Sequence, residues 1–361
     1  MPGAVHTLKN TVFIILIFTA AVLVVGRLLP AGPDYFYTFR PSAELFFAGK
    51  TRLYDIEQYQ FFLAPWAIFL IGITNLFPLN YGNAVLAVLT IGGQFLAIKA
   101  IAPQDKQPSL LILVLAIVNL HTIDLILRGN VDGFLSIGLA LGWMGVTKRK
   151  PLLAGLGLWL LAIKPVNVLL VFLVLGCAMW KWSAKEKLLT AIPLGISILL
   201  SFPVFGFDWP VRYIHLMQAN PPFDYLQTSL WRSFEFFGLG RGAAYGVCAI
   251  ALAFTALVII RSRVTNPGIL SIAITTNIVF SPYTLGSHYT ILAPVFVTVS
   301  KERIWLALSL WALTFTPLLR LIWGFDIAWI DSAYPLALMI GAWSQEINAA
   351  RSPAAAVGSP T

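Results

Sequence analysis

An aspartate near the start of the chain is the first residue placed to do chemistry. Asp34 begins the run DYFY, which ends at Tyr37 and directly follows a long apolar segment, and Glu44 comes ten residues later. A carboxylate held among aromatic rings beside a membrane has a raised pKa and can act as general base toward a hydroxyl. The alternative is that Asp34 caps a helix that begins at Tyr35.

Two basic residues interrupt apolar stretches, where an ionisable group is costly and therefore suggests a function. Lys164 precedes Pro165 in the run LLAIKP. Its ammonium either extends to the membrane surface or binds an anion such as phosphate. Arg128 begins the run RGNVD, which contains Asn130 and Asp132. That run is either an ordinary turn with an Arg-Asp pair or a second phosphate contact.

Two later residues extend the set of candidates. His288 lies in the run SPYTLGSHY, where it is either a hydrogen-bonded structural residue or a phosphate contact opposite Asp34. Arg232 follows Trp231 and brings another guanidinium to a long loop. The candidate phosphate ligands are Lys164, Arg128, His288 and Arg232, and the further site candidates are Asn130, Tyr37 and Glu44.

Motifs of several other chemistries are absent from the sequence. There is no Walker loop, dinucleotide fingerprint, HExxH or GxSxG run, and no Cys/His spacing typical of a metal site. The two cysteines, Cys177 and Cys248, both lie in apolar runs and indicate neither a disulfide nor a thiolate site. No Asp-x-Asp pair occurs in the long loops, so we predict no metal and no cofactor.

The elements that must position these residues are membrane helices. Of 361 residues, 58% are hydrophobic and only 11% are charged, whereas about a quarter of a soluble protein is charged. This composition excludes soluble enzymes and nucleic-acid-binding proteins. The net charge of +9 is explained by basic cytoplasmic loops, so no nucleic-acid partner is expected.

Hydropathy predicts an all-α polytopic protein with roughly 10–12 transmembrane helices. The first is predicted to be an uncleaved helix, and 152–180, which is interrupted at Lys164, a hairpin of two short helices. Four segments between 60 and 148 place the basic cluster at Lys148 on the wrong face, so one of them is re-entrant or one is missed. The predicted segments are 11–29, 61–77, 83–101, 109–127, 131–147, 152–180, 188–205, 242–260, 267–281, 289–300, 304–322 and 332–345.

Basic clusters set the expected orientation. Lys and Arg concentrate at 148–150, 181–187, 261–263 and 301–303, which we therefore assign to the cytoplasm together with both termini. The aromatic-rich loops 30–60 and 206–241 are then extracytoplasmic and are expected to carry helices at the membrane surface. Residues 1–348 are predicted to form one integral membrane domain, and 349–361 a disordered cytoplasmic tail.

Four motifs in this order resemble glycosyltransferase family 87, a branch of the polytopic GT-C superfamily that includes polyprenol-phosphate-mannose-dependent α-mannosyltransferases. The resemblance spans most of the chain. It rests on Asp34-Tyr35 with Tyr37, Ala43, Phe47-Ala48-Gly49 and Leu53-Tyr54-Asp55; on Arg128-Gly129-Asn130; on Lys148 to Lys150 with Gly155 and Lys164-Pro165; and on Ser281-Pro282 with His288.

The resemblance implies a GT-C fold in the cell membrane and an inverting hexosyltransferase with its active site on the extracytoplasmic face. Such an enzyme moves a hexose, mannose above all, or a pentose from a polyprenyl-phosphate-linked donor lipid to a hydroxyl of a glycolipid or glycan acceptor. The outer-loop aspartate, here Asp34, is the general base, and no nucleotide takes part.

Two departures from the family pattern bear on the substrates. The family often has Tyr-Pro-Pro before the second span where this chain has the run YQFFLAP from Tyr59, and Asn130 replaces a frequent glutamine. A transporter or flippase of lipid-linked glycans is the main alternative, and a structural subunit of a membrane complex is another. Neither needs a carboxylate at the membrane rim.

Overall fold

The computed structural model describes residues 2–55, 61–102, 108–219, 227–262, 266–301 and 303–351, with the side chains of 2–11, 325, 326 and 328 excepted. Within these ranges the chain is helical and forms no β-strand. The α-helices are α1 Pro2–Leu28, α2 Arg40–Phe47, α3 Ala67–Thr74, α4 Leu79–Ile101, α5 Leu110–Ile117, α6 Leu120–Arg128, α7 Gly133–Thr147, α8 Pro151–Leu161, α9 Leu169–Ala178, α10 Ala184–Phe205, α11 Trp209–Ala219, α12 Leu230–Phe236, α13 Arg241–Ser262, α14 Pro267–Phe280, α15 Ala293–Ser300, α16 Ile304–Leu313, α17 Arg320–Trp323 and α18 Ala333–Arg351.

Several of these helices have the length and hydropathy of membrane spans. In the described ranges four qualify, and a fifth is added if α5 and α6, which meet at a bend of 44°, count as one span. Shorter apolar helices of 10–17 residues accompany them. The four are α4, α10, α13 and the continuous stretch Ile304–Trp323.

The apolar surface of three of these spans is mostly exposed. In α10, α13 and the stretch Ile304–Trp323, only 17% to 22% of the most apolar window is buried inside the protein. A soluble protein does not expose apolar area on that scale, because its contact with water is unfavourable. These helices therefore present their side chains to lipid, as the composition predicts.

The structure differs from the predicted transmembrane helix at 61–77. Only α3 is helical there, and its eight residues span about 12 Å, far less than a bilayer core of about 30 Å. The start of α4 lies at the Asp34 end of the molecule, since Asn80 and Asn83 accept from the backbone at Ala31 and Gly32. The turn between the end of α6 and the start of α7 lies there too, because Asn130 donates to Asp34. If α3 does not cross the membrane, three spans remain between residue 60 and Lys148: α4, the bent pair α5 and α6, and α7. An odd number of spans puts the basic cluster at Lys148 on the face opposite Asp34, as the orientation requires.

The predicted hairpin 152–180 is wrong in its packing. The chain does break at Lys164, where a short 3₁₀ turn Pro165–Asn167 separates α8 from α9. However, α8 packs on α7 and α10, whereas α9 packs mainly on α13 and α14 and less extensively on α7. The two halves thus share α7 as a neighbour but otherwise pack on different helices, because the chain changes direction at the break.

The C-terminal end also differs from the prediction. Helix α18 continues to Arg351, past residue 349 where a tail was expected to begin. Residues 352–361 of that predicted tail lie outside the described residues.

Two apolar clusters support the bundle and its polar end. The larger joins α4, α5, α7, α8, α9, α13, α14, α15, α16 and α18. The smaller includes Tyr35, Leu63, Val131 and Ile163, which come from the segments that carry the candidate site residues. Four segments that are distant in sequence are thus fixed against one another at one end of the molecule.

Candidate functional site

Asp34 lies in a helical turn between α1 and α2. The next five residues, Tyr35–Phe39, form a π-helical turn, a rare conformation that is often found at functional sites. Tyr35 is buried and its hydroxyl donates to Thr74 Oγ1 at 3.0 Å, which anchors the turn. The Asp34 side chain makes no capping hydrogen bond, so the helix-cap interpretation fails and the half-buried carboxylate points elsewhere.

The Asp34 carboxylate meets the turn after α6. Gly129 ends that helix with φ of 70°, a left-handed conformation that favours glycine, and thereby directs Asn130 back toward Asp34. Asn130 Nδ2 donates to Asp34 Oδ2 at 2.8 Å, and Asn130 Oδ1 accepts from Lys164 Nζ at 3.2 Å. Because an ammonium can only donate, Lys164 fixes which end of the amide faces Asp34.

Lys164 is held inside the protein and does not extend to the membrane surface. Its side chain is 12% exposed and forms an ion pair with Asp132, whose carboxylate is 1% exposed. Both residues stand at breaks between helices, Lys164 after α8 and Asp132 immediately before α7. A buried pair of this kind is costly to desolvate, so it requires good geometry and additional hydrogen bonds such as the one to Asn130.

His288 also belongs to the polar network that Asp34, Asn130, Lys164 and Asp132 form. Its Nδ1 lies 2.7 Å from Asn167 Nδ2 and accepts from Leu285 N at 3.2 Å, so the ring proton is on Nε2. Nε2 faces Asp132 Oδ2 at 3.7 Å. Burial, reinforced by the charge of Lys164, holds the pKa of His288 well below its ordinary value, and the ring is neutral at pH 7.

Asp34, Asn130, Lys164, Asn167 and His288 line a cavity of about 290 Å³, which we call the Asp34 cavity. Aromatic and apolar side chains form the rest of its wall, including Phe62, Tyr213, Met217 and Tyr283. The sequence-predicted residues that line it are Asp34, Tyr37, Arg128, Asn130, Lys164 and His288.

The electrostatics of the cavity favour a base at Asp34. Burial raises the pKa of the Asp34 carboxyl, while the Asn130 hydrogen bond and the charges of Arg128 and Lys164 offset part of that rise. Arg128 Nε contacts both oxygens of Asp124, at 3.0 and 2.9 Å, and so pairs one turn back along α6 instead of with Asp132. The cavity thus combines a carboxylate of raised proton affinity with two nearby cations.

Two candidate residues lie elsewhere. Glu44 is 55% exposed and pairs with Arg40 at 2.8 Å, four residues away on the same helical segment. Arg232 pairs with Glu235 in α12 and does not line the Asp34 cavity. Both pairs are local in sequence, at spacings typical of neighbouring side chains on a helix.

Three residues of the site were not predicted from the sequence: Asp132, Asn167 and Tyr283. Asp132 could have been predicted as the partner of Lys164, because a buried lysine in an apolar run needs a carboxylate and Asp132 also lies between apolar segments. Asn167 follows Lys164 by three residues but carries no charge to mark it. Tyr283 lies in the run SPYTLGSHY, five residues before the cavity residue His288, but its side chain carries no charge to mark it.

The structure also bears on whether side chains are clustered as metal ligands. Among the residues that the structure describes, no group of three His, Cys, Asp or Glu side chains converges. The expectation that the chain works without a metal stays a prediction.

Comparison with known proteins gives no relative on which to base an identity. No family model, no curated protein and no solved structure matches this chain.

Proposed function

We propose that this protein is a membrane glycosyltransferase of the GT-C type, similar to glycosyltransferase family 87. In this proposal it moves a hexose, mannose above all, or a pentose from a polyprenyl-phosphate-linked donor to an acceptor hydroxyl, with inversion at the sugar carbon. The observation that carries the proposal is the contact from Asp34 through Asn130 to Lys164 at the wall of one cavity.

The residues of the cavity can be assigned to the steps of this reaction. Asp34 takes the proton of the acceptor hydroxyl as that oxygen bonds to the sugar carbon. The bond from the same carbon to the phosphate oxygen breaks, and its electron pair leaves with polyprenyl phosphate. Lys164 and Arg128 line the same cavity, and we assign them to stabilise the negative charge of the phosphate as it leaves.

The size and lining of the cavity suit one sugar residue. Its volume of about 290 Å³ is at the small end for ligand pockets, which begin at about 300 Å³. Tyr37, Tyr213 and Tyr283 supply aromatic faces of the kind that pack against sugar rings. A lipid chain or a large glycan would have to remain outside.

Contacts between the basic clusters support an extracytoplasmic site. Arg149 Nε bonds to Glu186 Oε1 at 2.7 Å, so the clusters at 148–150 and 181–187 lie at one end of the molecule. Asp34 lies at the other end of α7, near its first residue. If Lys and Arg face the cytoplasm of a plasma-membrane protein, the cavity faces outward.

The same orientation extends the fold proposal. With the shorter apolar helices counted as spans, the total approaches the 10–12 that hydropathy predicts. The two loops 30–60 and 206–241 then lie outside, where α2, α11 and α12 are candidates for helices at the membrane surface.

Turnover by purified protein tests the function. The protein is reconstituted with a radiolabelled polyprenyl-phospho-mannose and a panel of glycolipid acceptors, and released polyprenyl phosphate is measured together with labelled product. We expect both to appear in equal amounts. Passage of the intact donor across the bilayer without release would instead identify a flippase and overturn the proposal.

A further inference from the structure

A second cavity, of about 500 Å³, lies beside the Asp34 cavity. Helix α6, the segment 285–287 and the segment 317–321 form its wall. Arg128, Leu285 and Ser287 line both spaces, so the cavities are neighbours with Arg128 between them. Sugar transfer as proposed above uses only the first cavity.

Two residues in the wall of the second cavity carry buried nitrogen atoms without a hydrogen-bond partner among the described residues. Arg320 contacts the fully buried carboxylate of Asp331 through Nη2 at 2.7 Å, but its Nη1 forms no hydrogen bond with any described residue. His121 is 2% exposed, and its Nε2 also lacks a partner in the described part of the chain. Since an unpaired buried polar atom costs free energy, the Arg320 donor indicates a ligand that brings acceptor oxygens, and His121 Nε2 donates to the same ligand in the tautomer that carries the ring proton there.

The position of His121 is fixed by packing. Its ring lies edge-on to Tyr289, with 4.7 Å between ring centroids, and is stacked on Tyr334 at 5.4 Å. The ring therefore cannot turn away to find another partner without breaking both contacts. An acceptor for Nε2 has to come to it.

The unpaired atoms of the Asp34 network are of the opposite kind. There, Asn167 Oδ1 and Asp132 Oδ2 are the buried atoms without a hydrogen bond among the described residues, and both are acceptors. Acceptors suit the hydroxyl groups of a sugar, whereas the nitrogens of the second cavity suit an anion; the carboxylate of Asp124 in the same wall is paired with Arg128. Guanidinium groups such as those of Arg320 and Arg128 match phosphate in particular, because their donors form a planar fork.

The second cavity also lies next to a surface that faces lipid. Leu318 and Leu321 line it and are 44% and 82% exposed, and Trp323 follows at 64%. These residues end the candidate span Ile304–Trp323, where a tryptophan is typical of the membrane interface. An anion that reaches this cavity beside acyl chains is therefore attached to an amphiphile.

We propose that the second cavity binds the phosphate group of a membrane lipid, with Arg320, His121 and Arg128 as its donors. The proposal rests on these contacts and on the membrane location, and it does not depend on sugar transfer. Its consequence is a lipid headgroup fixed next to the Asp34 cavity and in contact with the arginine that the two cavities share.

Native mass spectrometry of the full-length protein in maltoside micelles tests this site. The probe is dioleoyl phosphatidic acid, and the matched lipid without phosphate is dioleoyl glycerol. We expect the protein to retain phosphatidic acid at least about tenfold more tightly than the glycerol lipid, the effect of about one charged hydrogen bond. Equal retention of the two lipids would overturn the proposal.

Variants assign the binding to the second cavity. We expect Arg320→Gln to weaken phosphatidic acid binding about tenfold and His121→Phe, which keeps the aromatic packing, to weaken it less. If Arg320→Gln does not fold, the double variant Arg320→Gln/Asp331→Asn removes the buried pair together. Arg232→Gln is the control, because it removes an arginine that lines neither cavity.

Three results would contradict the assignment. Unchanged binding in both Arg320→Gln and His121→Phe would exclude the second cavity. Displacement of the lipid by an equal concentration of inorganic phosphate would show that the ligand is the free ion. Loss of lipid binding in Asp34→Asn would place the lipid in the Asp34 cavity. Retained lipid binding in that variant, together with loss of sugar transfer, would support a lipid site separate from the Asp34 cavity.

Discussion

The side-chain amide of Asn130 donates a 2.8 Å hydrogen bond to the carboxylate of Asp34, although the residues are 96 positions apart in the sequence. The other end of the amide accepts from Lys164, so its orientation is fixed. The amide thus separates a carboxylate from an ammonium while contacting both. This arrangement keeps the Asp34 carboxylate from being neutralised by a direct ion pair with Lys164.

Replacing Asp34 by asparagine is expected to abolish sugar transfer. Asparagine has nearly the same shape but cannot take a proton from the acceptor, and a general base contributes about 10²–10⁴-fold to a rate. Turnover should therefore fall by at least about 100-fold, while the melting temperature in detergent stays within a few degrees.

Glu44→Gln is the matched control for that substitution. It makes the same carboxylate-to-amide change ten residues away, at an exposed residue outside the Asp34 cavity. Activity should remain within about twofold, because an exposed ion pair contributes little. Full activity in Asp34→Asn, or an equal loss in Glu44→Gln, would remove Asp34 from the role of base.

The pH dependence of kcat/KM provides a second test. Burial raises the pKa of Asp34, and the Asn130 hydrogen bond opposes that rise. A base works in its ionised form, so activity is present above the pKa of the folded protein and is lost as pH falls through it. Asn130→Ala removes an interaction that lowers the pKa, and the acid limb of kcat/KM should move to higher pH. An acid limb that stays in place or moves to lower pH would contradict the assignment.

The membrane class and most of the polar cluster could be predicted from the sequence for one physical reason. An ionisable residue in an apolar run is costly, so Lys164 and Arg128 stand out against a chain with few charges. The same reasoning does not say which partner each charge finds. Lys164 pairs with Asp132 and Arg128 with Asp124, and only packing of the helices decides between such neighbours.

The errors have equally specific causes. Arg232 looked available because its loop is long and aromatic, but Glu235 lies three residues on and pairs with it along the helix. The segment 61–77 has the hydropathy of a span, yet α3 occupies only its middle. Hydropathy does not reveal where the backbone leaves the helix, and here Pro65 precedes the helical part.

Removal of Lys164 should destabilise the fold as well as the reaction. Lys164→Met leaves the buried carboxylate of Asp132 without its partner, which costs about 3–5 kcal/mol in buried pairs of this kind. The double variant Lys164→Met/Asp132→Asn removes both charges and should be more stable than Lys164→Met alone. Thermal unfolding of the wild type, the two single variants and the double variant measures the coupling energy between Lys164 and Asp132. Additive effects on the free energy of unfolding would show that the ion pair contributes nothing.

Gly129→Ala should weaken both stability and activity. Its φ of 70° is strained for alanine, and the added methyl group would lie 2.7 Å from Tyr35 Cβ and also meet the side chain of Asn83. We expect a loss of about 1–3 kcal/mol and a displaced Asn130. Gly92→Ala is the control, because that helical glycine has open space around it. Similar losses in both variants would mean that the turn has no special role.

Cysteine labelling of intact cells tests the orientation on which the extracytoplasmic site depends. The contact between Arg149 and Glu186 joins two basic clusters at one end of the molecule, and Asp34 lies at the opposite end of α7. In a background with Cys177→Ala and Cys248→Ala, a membrane-impermeant maleimide should label Glu44→Cys from outside. Lys150→Cys should react only after the membrane is opened, because basic loops stay in the cytoplasm. The reverse pattern would place the Asp34 cavity in the cytoplasm, where the donor would have to present its sugar on the inner leaflet.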